Sequence, residues 1–120
     1  MKNIAPDIYR QRILIEAYYP VEITKESIEK YFADIIKHLC LRSYGKPAIF
    51  SPSEGMGSEG NEGFDAFIPL IDSGISIYVW SPAKFLSILI YTCKQFDEQK
   101  AIDFTKRYFK IDGDIEILSF

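Results

Sequence analysis

The run Phe85 to Cys93, F-L-S-I-L-I-Y-T-C, is apolar at both alternating positions of an extended chain. A strand with one solvated face alternates apolar and polar residues, whereas a strand covered on both faces does not. The run therefore reads as a buried central strand. The chain must supply partner strands on either side of it and cover for both faces. Helices packed on the sheet can cover one face. In a chain of only 120 residues, a second copy is expected to cover the other, as a homodimer.

The remaining elements follow from period and punctuation. Gln11 to Tyr18 alternates, with Ile13, Ile15 and Ala17 on one side, and Pro20 closes it. Thr24 is a good N-cap. Ile28, Tyr31, Phe32, Ile35, Ile36 and Leu39 then recur at helical spacing, predicting a helix from about Lys25 to Cys40, with Gly45 and Pro47 ending that unit. Ala48 to Phe50 begins a short strand. Ser51 to Gly63 is rich in Gly, Ser and Glu and has almost nothing to bury, so a mobile insertion is expected at about 53–62. Phe64–Ile71 and Ile75–Trp80 are two strand runs, with Asp72-Ser73-Gly74 as the turn between them. Pro69 argues for an edge position or a bulge in the first run. Asp97 caps a second helix whose buried side holds Ala101, Ile102, Phe104, Tyr108 and Phe109, and Gly113 breaks it. Ile115, Ile117 and Phe120 form a last strand. The order is β-α-β-β-β-β-α-β in a single domain over 1–120. The expected class is α+β, a two-layer sandwich with an antiparallel sheet and two helices on one face.

Composition narrows the chemistry. A formal net charge of -3 lacks the cationic face that phosphate backbones require, so no nucleic acid partner is expected. No apolar run reaches the roughly 18 residues of a membrane span. Met1 to Arg10 has no signal-peptide core, so a cytoplasmic location is expected. Cys40 and Cys93 are the only cysteines and His38 the only histidine, which matches no metal-ligand spacing, so no metal is expected. A Ser-His-Asp triad has almost nothing to draw on. Ser, Cys, Tyr, Asp and Glu are left to carry any reaction.

Ile68 to Phe109 resembles the small prokaryotic S-adenosylmethionine decarboxylases. That family carries a motif close to E-S-H-I-(S/T)-I-H-T-W-P-E, then a strand ending in T-C, then a helix with K-A-x-x-x-x-K-x-x-F. The matching text here is Asp72-Ser73-Gly74-Ile75-Ser76-Ile77-Tyr78-Val79-Trp80-Ser81-Pro82, then Thr92-Cys93, then Lys100-Ala101 and Lys106 through Phe109. Upstream, Phe50-Ser51-Pro52 matches the family's F-S-P. The resemblance implies an S-adenosylmethionine decarboxylase fold and a proenzyme that cuts itself, in the service of polyamine (spermidine) biosynthesis. Ser73 would be the precursor of a pyruvoyl cofactor, Asp72-Ser73 the scissile bond, and Cys93 the proton donor. Phe50 and Trp80 match aromatic positions that line a nucleoside pocket.

The departures from the family pattern fall on acid–base and ribose-binding positions. Gly74 stands for the His after the Ser, Tyr78 for the His that assists cleavage, and Asp65 for an assisting Ser. Pro82 stands for the Glu that would hold the ribose hydroxyls. The phenol of Tyr78 is a weaker proton acceptor than the imidazole whose place it takes. Asp65 could serve as a base if it lies near Ser73. The expectation is a divergent homologue with impaired or absent cleavage, bound to S-adenosylmethionine, a related amine or an active paralogue. Two alternatives stay open: an active pyruvoyl-dependent decarboxylase of S-adenosylmethionine or another amino acid, and a non-catalytic binding or interaction module.

Overall fold

A computed structural model describes residues 1–51 and 62–120. The expected insertion at 53–62 lies, apart from Glu62, outside the described residues. The elements are β1 (Gln11–Tyr18), α1 (Lys25–His38), β2 (Ala48–Phe50), β3 (Gly63–Leu70), β4 (Ser73–Trp80), β5 (Phe85–Thr92), α2 (Glu98–Tyr108) and β6 (Ile115–Ser119). The six strands form one sheet in the order β2-β3-β4-β5-β1-β6, and every pairing is antiparallel. The class is α+β, as the sequence predicts. The doubly apolar run is β5, deep in the sheet between β4 and β1.

Paired residues of antiparallel strands share a face. Ile13, Ile15 and Ala17 of β1 join Ile75, Ile77 and Val79 of β4 and Leu86, Ile88 and Ile90 of β5 on one side, all buried. Together with the α1 stripe of Ile28, Tyr31, Phe32, Ile35 and Ile36 they make the core. α2 adds Ala101 and Thr105. Thr105 escaped the sequence reading. Its hydroxyl donates to the Ala101 carbonyl at 2.8 Å and lies 2.9 Å from the Tyr31 hydroxyl, so the Tyr31 O–H donates to it.

The helices start where their caps say and stop earlier than expected. Thr24 and Ser27 form a reciprocal capping box at α1, and Asp97 accepts from Lys100 N–H at α2. Both helices end with a residue in the left-handed region, Cys40 (φ 58) and Lys110 (φ 54). The next N–H in each, of Leu41 and Ile111, reaches back to the carbonyls of Ile36 and Lys106, and both side chains are buried. This is a Schellman-type stop made without glycine. It explains why Gly45 and Gly113 do not mark the helix ends.

The β3–β4 hairpin also differs from expectation. Leu70 pairs with Ser73, so the turn is Ile71-Asp72 alone, while Ser73 and Gly74 belong to β4. Pro69 belongs to an interior strand but sits where that strand is locally an edge. β2 pairs only with Asp65, Ala66 and Phe67, so Pro69 lies beyond its end. The Pro69 carbonyl accepts from Tyr44 N–H, so its ring nitrogen faces that same side and β4 loses no donor.

Candidate active site

The site is built where the end of α1, the β3–β4 turn and the end of β5 meet. The α1 cap turns the chain at Cys40, buries Leu41 and delivers Arg42 to the turn. The Arg42 carbonyl accepts from Ile71 N–H at 2.8 Å. Arg42 N–H donates to Asp72 Oδ2 at 3.1 Å, and Arg42 Nη2 donates to Oδ1 at 3.0 Å. The Asp72 side chain is only 4% exposed, whereas that of Arg42 is 62% exposed. The Arg42 side-chain hydrogen bond holds the Asp72 carboxyl below its ordinary titration range, against the opposing effect of burial.

From the other side, Cys93 N–H donates to the Asp72 carbonyl oxygen at 2.9 Å. Thr92 pairs with Ser73, and its buried hydroxyl donates to the Lys94 carbonyl at 2.7 Å. Lys94 Nζ in turn donates to the Cys40 carbonyl at 2.7 Å. Ser73 has φ 124, a backbone conformation that a residue with a β-carbon rarely adopts. Cys93 is a free, exposed cysteine. Ser73 and Cys93 thus stand at the ends of neighbouring strands, as their sequence spacing implies. A cleft of about 290 Å³ opens beside Ser73, lined by Phe67, Ser73, Gly74, Ser76, Leu89 and Tyr91. Gly74 is a packing position: a β-carbon there would sit 2.5 Å from Phe67 Cε1. The Phe67 ring fills the space that a side chain at 74 would need.

The other sequence-predicted residues lie elsewhere on the open face of the sheet. Phe50 pairs with Asp65, Asp65 with Tyr78 and Tyr78 with Ser87. Ser87 donates to Glu16, and Glu16 pairs with Glu116. From Asp65 to Glu116 these residues form one polar row across the sheet. Tyr78 is five residues along β4 from Ser73, about 17 Å at ~3.4 Å per residue. Asp65 sits opposite Tyr78, so within one copy neither touches Ser73. Trp80 is two residues further on, its ring 5.5 Å from that of Phe85. Phe50 and Trp80 therefore do not line the cleft at Ser73. Arg42 was missed from the sequence, because a cation just past a helix end carries no sign of a partner thirty positions away. Among the described residues, no group of three His, Cys, Asp or Glu side chains is placed to hold a metal, and no helix is long and apolar enough to cross a membrane.

A serine at positive φ opens β4, its preceding carbonyl accepts from an N–H, and a cysteine follows the end of the neighbouring strand, all on an α+β sandwich. The family model of S-adenosylmethionine decarboxylase matches residues 13–115, and the chain belongs to that family. The fold is similar to the crystal structure of the adenosylmethionine decarboxylase from Aquifex aeolicus VF5. The TM-score is 0.72 at 18% sequence identity, over 94% of this chain and 89% of that one. No curated protein sequence matches the chain.

Proposed function

We propose that the chain is a pyruvoyl-type decarboxylase precursor that cleaves itself slowly between Asp72 and Ser73, as a homodimer. The observation that carries this reading is the backbone of the junction: Ser73 at φ 124, with the Asp72 carbonyl held on Cys93 N–H. In the reaction, Ser73 Oγ attacks the Asp72 carbonyl carbon. Its proton passes to the Ser73 nitrogen as the C–N bond breaks, and an ester forms. The charge that gathers on the carbonyl oxygen faces the Cys93 N–H, which stabilises it. Loss of the Ser73 α-proton expels Asp72 as a carboxylate. Water then releases the nitrogen as ammonia and leaves a pyruvoyl end at residue 73. Such a group supplies a carbonyl that draws electrons from the substrate α-carbon as CO2 leaves. We take Cys93, whose N–H meets the Asp72 carbonyl, as the residue that returns a proton.

The speed follows from the missing base. A positioned acid or base is worth about 100- to 10,000-fold in rate, and Asp72 is taken up by Arg42. Asp65 and Tyr78 could reach Ser73 only from a second copy. Two sheets packed open face to open face, related by a two-fold axis, would carry each polar row toward the other's hairpin. The exposed Tyr18, Phe67, Tyr91, Leu118 and Phe120 suit such burial. We take S-adenosylmethionine as the first substrate to test, which would place the activity in polyamine biosynthesis. Another cationic amino acid is the next, since Pro82 offers the ribose no acceptor. The distance of Asp65 and Tyr78 from Ser73 within one copy favours a second reading, a binding homologue that never cleaves and pairs with a metabolite or an active paralogue.

The test compares wild type with Ser73→Ala, with and without hydroxylamine, which cuts an ester without a protein base. Slow cleavage of wild type alone, hastened by hydroxylamine, with CO2 release from S-adenosylmethionine by the cleaved protein, supports the enzyme. An intact chain in every sample supports the binding homologue.

A further inference from the structure

We propose that Arg42 is a positioning residue for self-cleavage: it straps Asp72 so that the Asp72 carbonyl stays on Cys93 N–H within reach of Ser73 Oγ. The inference rests on the cleavage reading above and adds to it the residue that holds the scissile bond in place. Three contacts carry it. The Arg42 main chain bonds the turn twice, from its carbonyl to Ile71 N–H and from its N–H to Asp72 Oδ2. The guanidinium takes the other carboxylate oxygen, Oδ1. Both oxygens of a nearly buried carboxylate are therefore held by one residue, while the main-chain carbonyl of Asp72 is held by Cys93 N–H. A two-residue turn fixed at its side chain and at its carbonyl leaves the Asp72 peptide little freedom to rotate. A strained serine conformation persists only where its surroundings over-determine it, and these bonds supply that constraint at Ser73.

Arg42 touches none of the reacting atoms. Its effect on them passes through the Asp72 side chain. Lys94 anchors the same α1 cap through the Cys40 carbonyl, so the segment Cys40–Arg42 is itself tied to the end of β5. The strap is thus referenced to the strand that carries Cys93.

The test has two readouts, so that a failed strap and a failed cleavage reading are told apart. In the Ser73→Ala chain, which cannot cleave, amide exchange is followed by NMR with and without Arg42→Gln. The Cys93 amide should exchange about tenfold faster or more once the strap is gone, with amides of β1 unchanged. In the Ser73 chain, Arg42→Gln should slow cleavage about tenfold or more, as misplacement of reacting atoms does. Arg42→Lys should recover part of the rate, because it keeps the charge without the fork. Asp72→Asn should slow cleavage too, and the double variant Arg42→Gln/Asp72→Asn should be no slower than the worse single one. Unchanged Cys93 exchange overturns the strap whether or not wild type cleaves. Faster exchange in a chain that never cleaves upholds the strap and sinks the cleavage reading. Faster exchange with an unaltered cleavage rate overturns the positioning role.

Discussion

Arg42 makes Asp72 a stronger acid than an isolated aspartic acid, because the bonds it donates favour the charged form. A folded-state value below the unfolded one adds stability above the ordinary carboxylate range, ~4. That stability is lost as pH falls through the lowered value. The melting-temperature gap between wild type and Arg42→Gln should therefore be open at pH 7 and close on acidification below about pH 4. Thermal melts across that range check it. Tyr31 behaves oppositely: burial pushes its phenol well above the ordinary value, so it stays protonated and donates to Thr105. Tyr31→Phe should cost about 1 kcal/mol, the usual worth of one such bond, measured by urea unfolding. The closeness of Ser73 and Cys93 at the ends of two strands was legible because a spaced motif carries both. The meeting of Arg42 with Asp72 was not, because it depends on how one helix stops. Tyr78 and Asp65 were flagged by resemblance, and only the register reveals that their row lies five positions along β4 from Ser73.

The starts of α1 and α2 could be read from Thr24 and Asp97, since an N-cap is a local side chain-to-backbone bond. Their ends could not, since Cys40 and Lys110 adopt a conformation for which glycine is the usual signal. The hairpin shows the same limit. Asp, Ser and Gly are all turn-forming residues, and only the pairing of Leu70 with Ser73 decides that two of the three belong to β4. That decision matters chemically, because it puts the strained Ser73 in a strand beside Thr92 instead of in a free loop. At the other end of the hairpin, Gly63 has φ 152, and a β-carbon there would lie 1.8 Å from the Val79 carbonyl oxygen. Gly63→Ala must push β3 away from β4, at a cost of about 2 kcal/mol or more. Equilibrium unfolding against wild type measures that cost.

The described residues form a sheet with helices on one side and an aromatic-rich face on the other that none of them covers. The doubly apolar β5 announced the demand for cover on both faces, and the described chain meets it on one. Strand order was less accessible: placing β1 between β5 and β6 depends on long-range pairing that no local pattern encodes. If a second copy covers the open face, light scattering should give twice 13.8 kDa. Leu118→Asp, on the exposed face of β6, should shift the mass to that of one chain while leaving the helical circular dichroism intact. A single-chain mass for wild type at working concentration would remove the dimer.

Cleavage at Asp72-Ser73 is the claim on which the chemistry stands, and the intact mass of freshly purified protein under denaturing conditions tests it most directly. Slow conversion of the 13.8 kDa chain into two fragments is expected, one ending at Asp72 and the other starting at residue 73 with a blocked pyruvoyl end. A single full-length species that persists for days would contradict it.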